Sequence, residues 1–132
     1  VRTESHFFSN HDVDQPGVRI AVGKNAAYDL YLSRTLESAE LIRAATTPGA
    51  LDLFVQEELE VAAGVKLPLI KFAEKNRSFR VLDEPFMAIK QALCLPHGHP
   101  IGFDYLKTFI TEIKNNGTLE RIFRKFGQSD LL

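Results

Sequence analysis

The chain has 132 residues, enough for one domain or a large piece of one. Lys and Arg number 16 against 17 Asp and Glu, a net charge of −1, without the basic excess of a nucleic-acid-binding domain. Hydrophobic residues at 45% exclude wholesale disorder, no apolar run approaches the ~20 residues that span a bilayer, and one cysteine, Cys94, excludes an internal disulfide framework or a cysteine-rich zinc site.

Residues 1–17 are mainly polar, with Phe7, Phe8 and Val13 among the exceptions, and Asp12, Asp14, Gln15, Pro16 and Gly17 form a turn signal. The apolar run 18–22, interrupted by Arg19, predicts a β-strand ending at Gly23. Ala27, Leu30 and Tyr31 then fall at helical spacing, which predicts a helix over about 26–36. Residues 39–44 form a second strand candidate around Leu41 and Ile42. Thr47 as N-cap with Pro48 at the first helical position predicts the next helix, with Leu51, Phe54 and Val55 on one face. The wholly apolar residues 61–64 suit a buried parallel strand. Residues 67–75 are helical by composition, and residues 79–82 predict a fourth strand. The alternation implies a parallel sheet covered by helices.

Over residues 86–95, Phe86, Ala88, Lys90 and Ala92 alternate with Met87, Ile89, Gln91 and Leu93, which predicts one more strand. Cys94, following it, is expected to be a small buried hydrophobe. Residues 96–100 form a loop whose His97 and His99 alone do not make a metal site, which takes three or four ligands. An amphipathic helix is expected over 101–114, stopped by Asn115, Asn116 and Gly117, and Thr118 is expected to cap a last helix through Phe126. The chain does not begin with Met, so it reads as a mature, processed or excised piece, and the lack of a visible signal peptide carries no information.

In order and spacing, residues 16–32, 50–54, 60–65, 80–82, 86–92 and 106–126 resemble the second lobe and C-terminal return segment of bacterial extracellular solute-binding proteins of family 3, the amino-acid receptors of ABC importers. The resemblance covers about residues 5–127. It implies an α/β fold of three layers, α/β/α, with a mostly parallel sheet, like one lobe of a type 2 periplasmic-binding fold. It divides the chain into a hinge segment (1–17), an α/β domain (18–85) and a return strand with C-terminal helices (86–132), packed as one unit with 18–85. It implies a periplasmic or extracellular receptor component that binds a small amino-acid-like or carboxylate solute without chemistry or cofactor and that meets a membrane permease. Two alternatives stay open. One is a ligand-poor interaction domain that forms a homodimer through its exposed lobe surface. The other is a dehydratase-like enzyme, since a few relatives on this fold are dehydratases.

The site can be argued from the residues themselves. A strand ending at Gly23 and a helix starting near Ala26 point unpaired backbone N–H groups at the carboxyl edge of the sheet, where carboxylate or phosphate is attracted and where open α/β sheets bind ligands. Lys24 adds positive charge; the plain alternative is a tight turn with a solvated lysine. The candidate binding residues are Lys24, Asn25, Ala26, Ala27, Tyr28, Thr46, Thr47 and Val65. Tyr28 either lines the cleft or packs its helix, and Thr47 either contacts ligand or only caps. By the resemblance, Asn25 stands where relatives have glycine, Ala26 where they have a hydroxyl, and Val65 where many place an aspartate for the ligand's ammonium. A valine leaves that ammonium unpaired at a cost of several kcal/mol, which disfavours a standard α-amino acid. Glu60 lies at the other end of its strand and reads as a solvated surface residue. Catalytic and metal residues are assigned nowhere, because P-loop, nucleophile-elbow and dinucleotide-binding signatures are all missing.

Overall fold

Alternating side chains on one short strand organise the first part of the molecule. The computed structural model describes residues 1–128; the end of the expected 86–132 segment, residues 129–132, lies outside the described residues. A short helix α1 (Asn10–Val13) precedes β1 (Arg19–Gly23), α2 (Ala27–Thr35), β2 (Glu40–Ala44), α3 (Thr47–Gln56), β3 (Val61–Ala62) and α4 (Lys66–Lys75). β1 lies in the middle, parallel to both neighbours, in the order β2-β1-β3. Ile20 pairs with Leu41 on one side and with Val61 on the other.

Successive strand residues face opposite ways, and the buried clusters follow that rule. Ile20 and Val22 join Tyr28, Leu32, Val61 and Ala63 in one cluster. Ala21 joins Ala50, Phe54 and Leu59 in the other. So α2 covers one face of the sheet and α3 the opposite face. The chain leaves β1 toward β2 and returns past β1 to β3, and right-handed crossovers running in opposite directions place their helices on opposite faces. The three-layer α/β/α arrangement expected from the sequence is the arrangement found.

Residues 79–82 do not form a fourth strand. Phe79 makes an isolated antiparallel bridge with Arg2, flanked by hydrogen bonds from Arg80 N to Val1 O at 2.9 Å and from Thr3 N to Ser78 O at 2.8 Å. The backbone partners of this stretch are thus residues 1–3 and not the parallel sheet. The Phe79 ring stacks against Phe54 and Phe72, with centroids 5.1 and 5.3 Å apart. The Arg80 guanidinium holds the preceding segment through Nη2, which donates to Phe7 O at 2.6 Å and Ser5 O at 3.1 Å.

Two local devices fix the segment before β1. Ser9 caps α1, and the Asp12 carboxylate returns to the Phe8 and Ser9 N–H groups, both at 2.8 Å. Asp14 accepts the N–H groups of Glu37, Ser38 and Ala39 within 3.0 Å and so fastens the turn before β2. At the amino edge of the sheet Glu60 is not merely solvated: its carboxylate takes Arg19 N and Nε through Oε2 at 2.8 and 2.9 Å and Arg19 Nη2 through Oε1 at 2.7 Å.

Residues 86–95 have no regular secondary structure. Among the described residues no strand lies beside them, and alternation alone cannot replace a hydrogen-bonded neighbour. Phe86 and Met87 instead both pack on the first cluster, with Tyr31 and Phe86 rings 6.1 Å apart. Cys94 is exposed, contrary to expectation, because it lies in this irregular stretch.

The chain divides into two compact units, Val1–Ile89 and Lys90–Leu132. The second contains α5 (Pro100–Asn115) and α6 (Thr118–Lys125). Gly117, at φ +73°, occupies the N-cap of α6 in place of the expected Thr118. The left-handed turn that joins the helices needs glycine's freedom there, and Asn116 Oδ1 accepts the Thr118 N–H at 3.0 Å.

Phe54 is 1% exposed at the centre of the α3 face, so Phe54→Ala is expected to cost about 3–5 kcal/mol, read as a fall in the urea midpoint at unchanged slope. A second expectation concerns pH. The N–H groups of Phe8 and Ser9 hold Asp12, those of Glu37, Ala39 and Ser38 hold Asp14, and the Arg19 side chain chiefly holds Glu60, each below its ordinary value. A folded value below the unfolded one gives stability that is complete above the ordinary carboxylate range near pH 4 and lost as pH falls through the lowered values. The urea midpoint should therefore fall between about pH 5 and pH 3, and less steeply in Asp14→Asn; equal slopes for the two proteins would remove Asp14 from this account.

Candidate functional site

Parallel topology places the turn after β1, the start of α3 and the start of α4 on one edge of the sheet. Strand order reverses there, from β2 on one side of β1 to β3 on the other, and open α/β sheets bind ligands at such a reversal. The expected residues fall on the loops and first turns that border this edge.

Lys24 N donates to Ala44 O at 2.9 Å, and Ala26 N donates back to Gly23 O at 3.2 Å, closing a tight turn. Asn25 sits at φ +63°, a conformation Asn tolerates better than most residues. Its N–H donates to Asp29 Oδ2 at 2.8 Å. Ala26 is the N-cap of α2 and offers no side-chain cap, so the N–H groups of Ala27 and Tyr28 lie among those that an α-helix cannot pair internally. Lys24, Asn25 and Ala27 are exposed, and Ala26 is half-buried.

Gly23 is required by contact. A Cβ at that position would lie 3.0 Å from Thr47 N, Cα and Oγ1, and real Cβ atoms rarely come so near backbone. The end of β1 and the start of α3 therefore touch directly.

Thr46, not Thr47, caps α3. Thr46 Oγ1 accepts the Gly49 N–H at 3.1 Å, and Pro48 falls within the first turn, where a missing N–H costs nothing. The Thr47 hydroxyl is thereby released to meet the Tyr28 hydroxyl at 3.0 Å. Tyr28 packs its helix: its ring belongs to the buried cluster under α2, at 3% exposure, and its hydroxyl is bonded to Thr47. Lys24–Tyr28 and Thr46–Thr47 are thus joined by direct contacts. Val65 is the N-cap of α4 and 46% exposed; it shares the edge through the β3 register.

Sequence reasoning missed three residues behind the turn. Asp29, 2% exposed, accepts Arg43 Nε through Oδ1 at 2.9 Å as well as the Asn25 N–H through Oδ2. Arg43 Nη2 also donates to Ser33 Oγ at 2.7 Å, and Ser33 Oγ donates to Asp29 O at 2.7 Å. Asp29 stands three residues past the N-cap, where an acidic side chain commonly reaches back to the turn, and that spacing was the available signal. Arg43 comes from β2 and is visible only once the strands are paired. His97 and His99 are exposed, and among the described residues no group of three His, Cys, Asp or Glu could hold a metal ion.

No protein-family model and no curated protein matches the chain. Among solved structures it is similar to the crystal structure of an ancestral cyclohexadienyl dehydratase, at 21% identity and a TM-score of 0.58, over 95% of this chain and 54% of that one. The chain thus spans about half the length of that protein. At this identity the likeness shows the fold alone, that of one lobe of the periplasmic-binding-protein type.

The division of labour between the two threonines is measurable. Thr46→Ala is expected to cost about 1 kcal/mol as a lost helix cap, with the Tyr28 ring signals unchanged. Thr47→Val keeps the cap and leaves the Tyr28 hydroxyl without its partner, at a cost of about 1–3 kcal/mol, with the Tyr28 ring signals shifted. Comparable Tyr28 shifts in the two variants would overturn the assignment.

Proposed function

We propose that the chain is the solute-binding lobe of a receptor that feeds an ABC-type importer, and that it holds a small amino-acid-like or organic-acid solute at the carboxyl edge of its sheet without chemistry. The observation that carries this reading is the convergence of the β1–α2 turn with the starts of α3 and α4 at the strand-order reversal. Lys24, an exposed cationic residue, stands on the turn that leads into the helix start with the N–H groups of Ala27 and Tyr28. Together they suit a carboxylate, since anions favour helix N-termini and exposed amides. The Tyr28 and Thr47 hydroxyls offer neutral hydrogen bonding, and Val65 offers an apolar wall.

A second lobe would close over the solute, supplied by more chain or by another copy, and closure is the event a membrane permease would read. Periplasmic or extracellular placement goes with that role. Among the described residues no helix is long and apolar enough to cross a membrane.

The dehydratase neighbour raises a second reading, acid–base chemistry on the same edge. Such chemistry calls for a titratable group within reach of substrate. Asp29, the acidic residue behind the turn, has both carboxylate oxygens bonded inside the protein, which supports binding without turnover.

The test is a thermal-shift series on the purified chain with carboxylic and amino acids. A ligand at a hundredfold excess over its Kd adds about 2.7 kcal/mol of stability, a shift of several degrees. At least one acid is expected to give such a shift, and Lys24→Gln is expected to reduce it. A flat response across the series overturns the reading, and turnover of a cyclohexadienyl acid by the chain would put the enzymatic one in its place.

A further inference from the structure

We infer that α5 and α6 form a docking face for a second copy of this chain, the α5 of each copy receiving the α6 of the other. The inference concerns the second compact unit alone and is independent of the solute-site reading. It is carried by two uncovered apolar rows whose charged borders have opposite signs.

Residues three and four apart are neighbours on a helix surface. On α5, Ile101, Tyr105 and Phe109 follow one another at a spacing of four and are 86%, 73% and 40% exposed. Asp104, Thr108 and Glu112 form the next row, each three residues beyond a member of the first, and all are exposed. Lys107 and Lys114 fall on the far side of α5 from the apolar row, by the 3.6-residue turn. On α6 and its C-cap, Ile122 and Phe126 form a row, 44% and 65% exposed. Arg121 and Lys125, both exposed, form the row beside it. The other charges of α6, Glu120 and Arg124, pair with each other. Arg121 Nη2 donates to Thr118 Oγ1 at 2.8 Å, and among the described residues none of Asp104, Glu112, Arg121 and Lys125 takes part in an ion pair. The α5 row therefore has an acidic border and the α6 row a basic one.

Most helical stability in proteins comes from packing an amphipathic face, and neither helix has a buried residue. A fitting partner brings an apolar row with a basic border to α5 and one with an acidic border to α6. This chain has both. A two-fold axis makes each contact twice, residue i on j and j on i, so Arg121 and Lys125 of each copy face Asp104 and Glu112 of the other. Opposed charges along such borders select partner and orientation. The area suffices as well. At about 200 Å² for a whole aromatic side chain, Tyr105, Phe109 and Phe126 alone expose about 350 Å². One side of a standard interface is about 800 Å², a little over half of it non-polar, and Ile101 and Ile122 complete that share.

The experiment measures the mass of the purified chain by sedimentation equilibrium across a wide concentration range. A dimer, twice the 14.8 kDa of the chain, is expected. One variant carries Asp104→Lys with Glu112→Lys, and another carries Arg121→Glu with Lys125→Glu. Each alone sets like charges against one another at both contacts and is expected to weaken the dimer about tenfold or more. An equimolar mixture of the two restores opposite charges at both contacts and is expected to recover the dimer, as is a chain with all four changes; retained helical circular dichroism identifies the folded variants. A monomer at every concentration overturns the inference and gives the face to another occupant, such as further chain or a membrane permease. A dimer indifferent to both variants, or one weakened by them and not recovered by either form of the charge exchange, overturns it too.

Discussion

The first unit depends on one five-residue strand that must be covered on both faces and bonded on both edges. β1 has Ile20, Ala21 and Val22 at 0–1% exposure, and none of the three can face water without a loss of the order of 1–3 kcal/mol per large side chain. A strand with apolar groups on both faces needs a helix above and another below. A strand with open N–H and C=O groups on both edges needs two neighbours. The chain meets both demands with two parallel crossovers running in opposite directions. The small side chain of Ala21 leaves room for Phe54 and Ala50 on the α3 face, whereas Ile20 and Val22 fill the α2 face.

That solution fixes where a site can form. Two parallel crossovers return the chain to the same edge each time, so the starts of α2, α3 and α4 share it without any residue being selected for binding. The scaffold leaves the chemistry open. Gly23 lets the start of α3 come into contact with the end of β1, and that contact places Thr47 against Tyr28. The buried Asp29–Arg43 pair then fixes the turn at Asn25 from behind. The likeness to a dehydratase concerns the scaffold, whereas the charge at the edge belongs to these particular side chains.

The parts legible in the sequence were those whose cause is local. Short apolar runs punctuated by Gly23, by Thr46 to Gly49 and by Gly64 set the order of strands and helices, and the edge residues followed from that order. The cap of α3 was misplaced by one residue because Thr46 and Thr47 are chemically alike; what separates them is Tyr28, 19 positions earlier. Residues 79–82 have strand composition, but their partners are residues 1–3, which no local pattern announces. Residues 86–95 alternate well and still form no strand, since pairing is a property of two segments and alternation of one. Arg43 and Asp29 are 14 positions apart on a strand and a helix, so their pairing exists only once β1 and β2 are in register. Fold class and the location of the edge were therefore readable, and the charge state of the edge was not.

The bridge between residues 1–3 and residues 78–80 bears on the order in which the first unit assembles. β1, α2 and β2 occupy one continuous stretch, and their contacts close short loops. The Val1–Arg80 contact joins positions 79 apart, and closure entropy grows with the length of chain enclosed. Contacts of that separation form late and slow the overall rate. By that argument the bridge is expected to act as a clasp, engaging after the shorter loops of β1, α2 and β2 have closed. An interaction that forms late is one whose loss chiefly speeds unfolding, so the clasp would govern how slowly the folded unit comes apart.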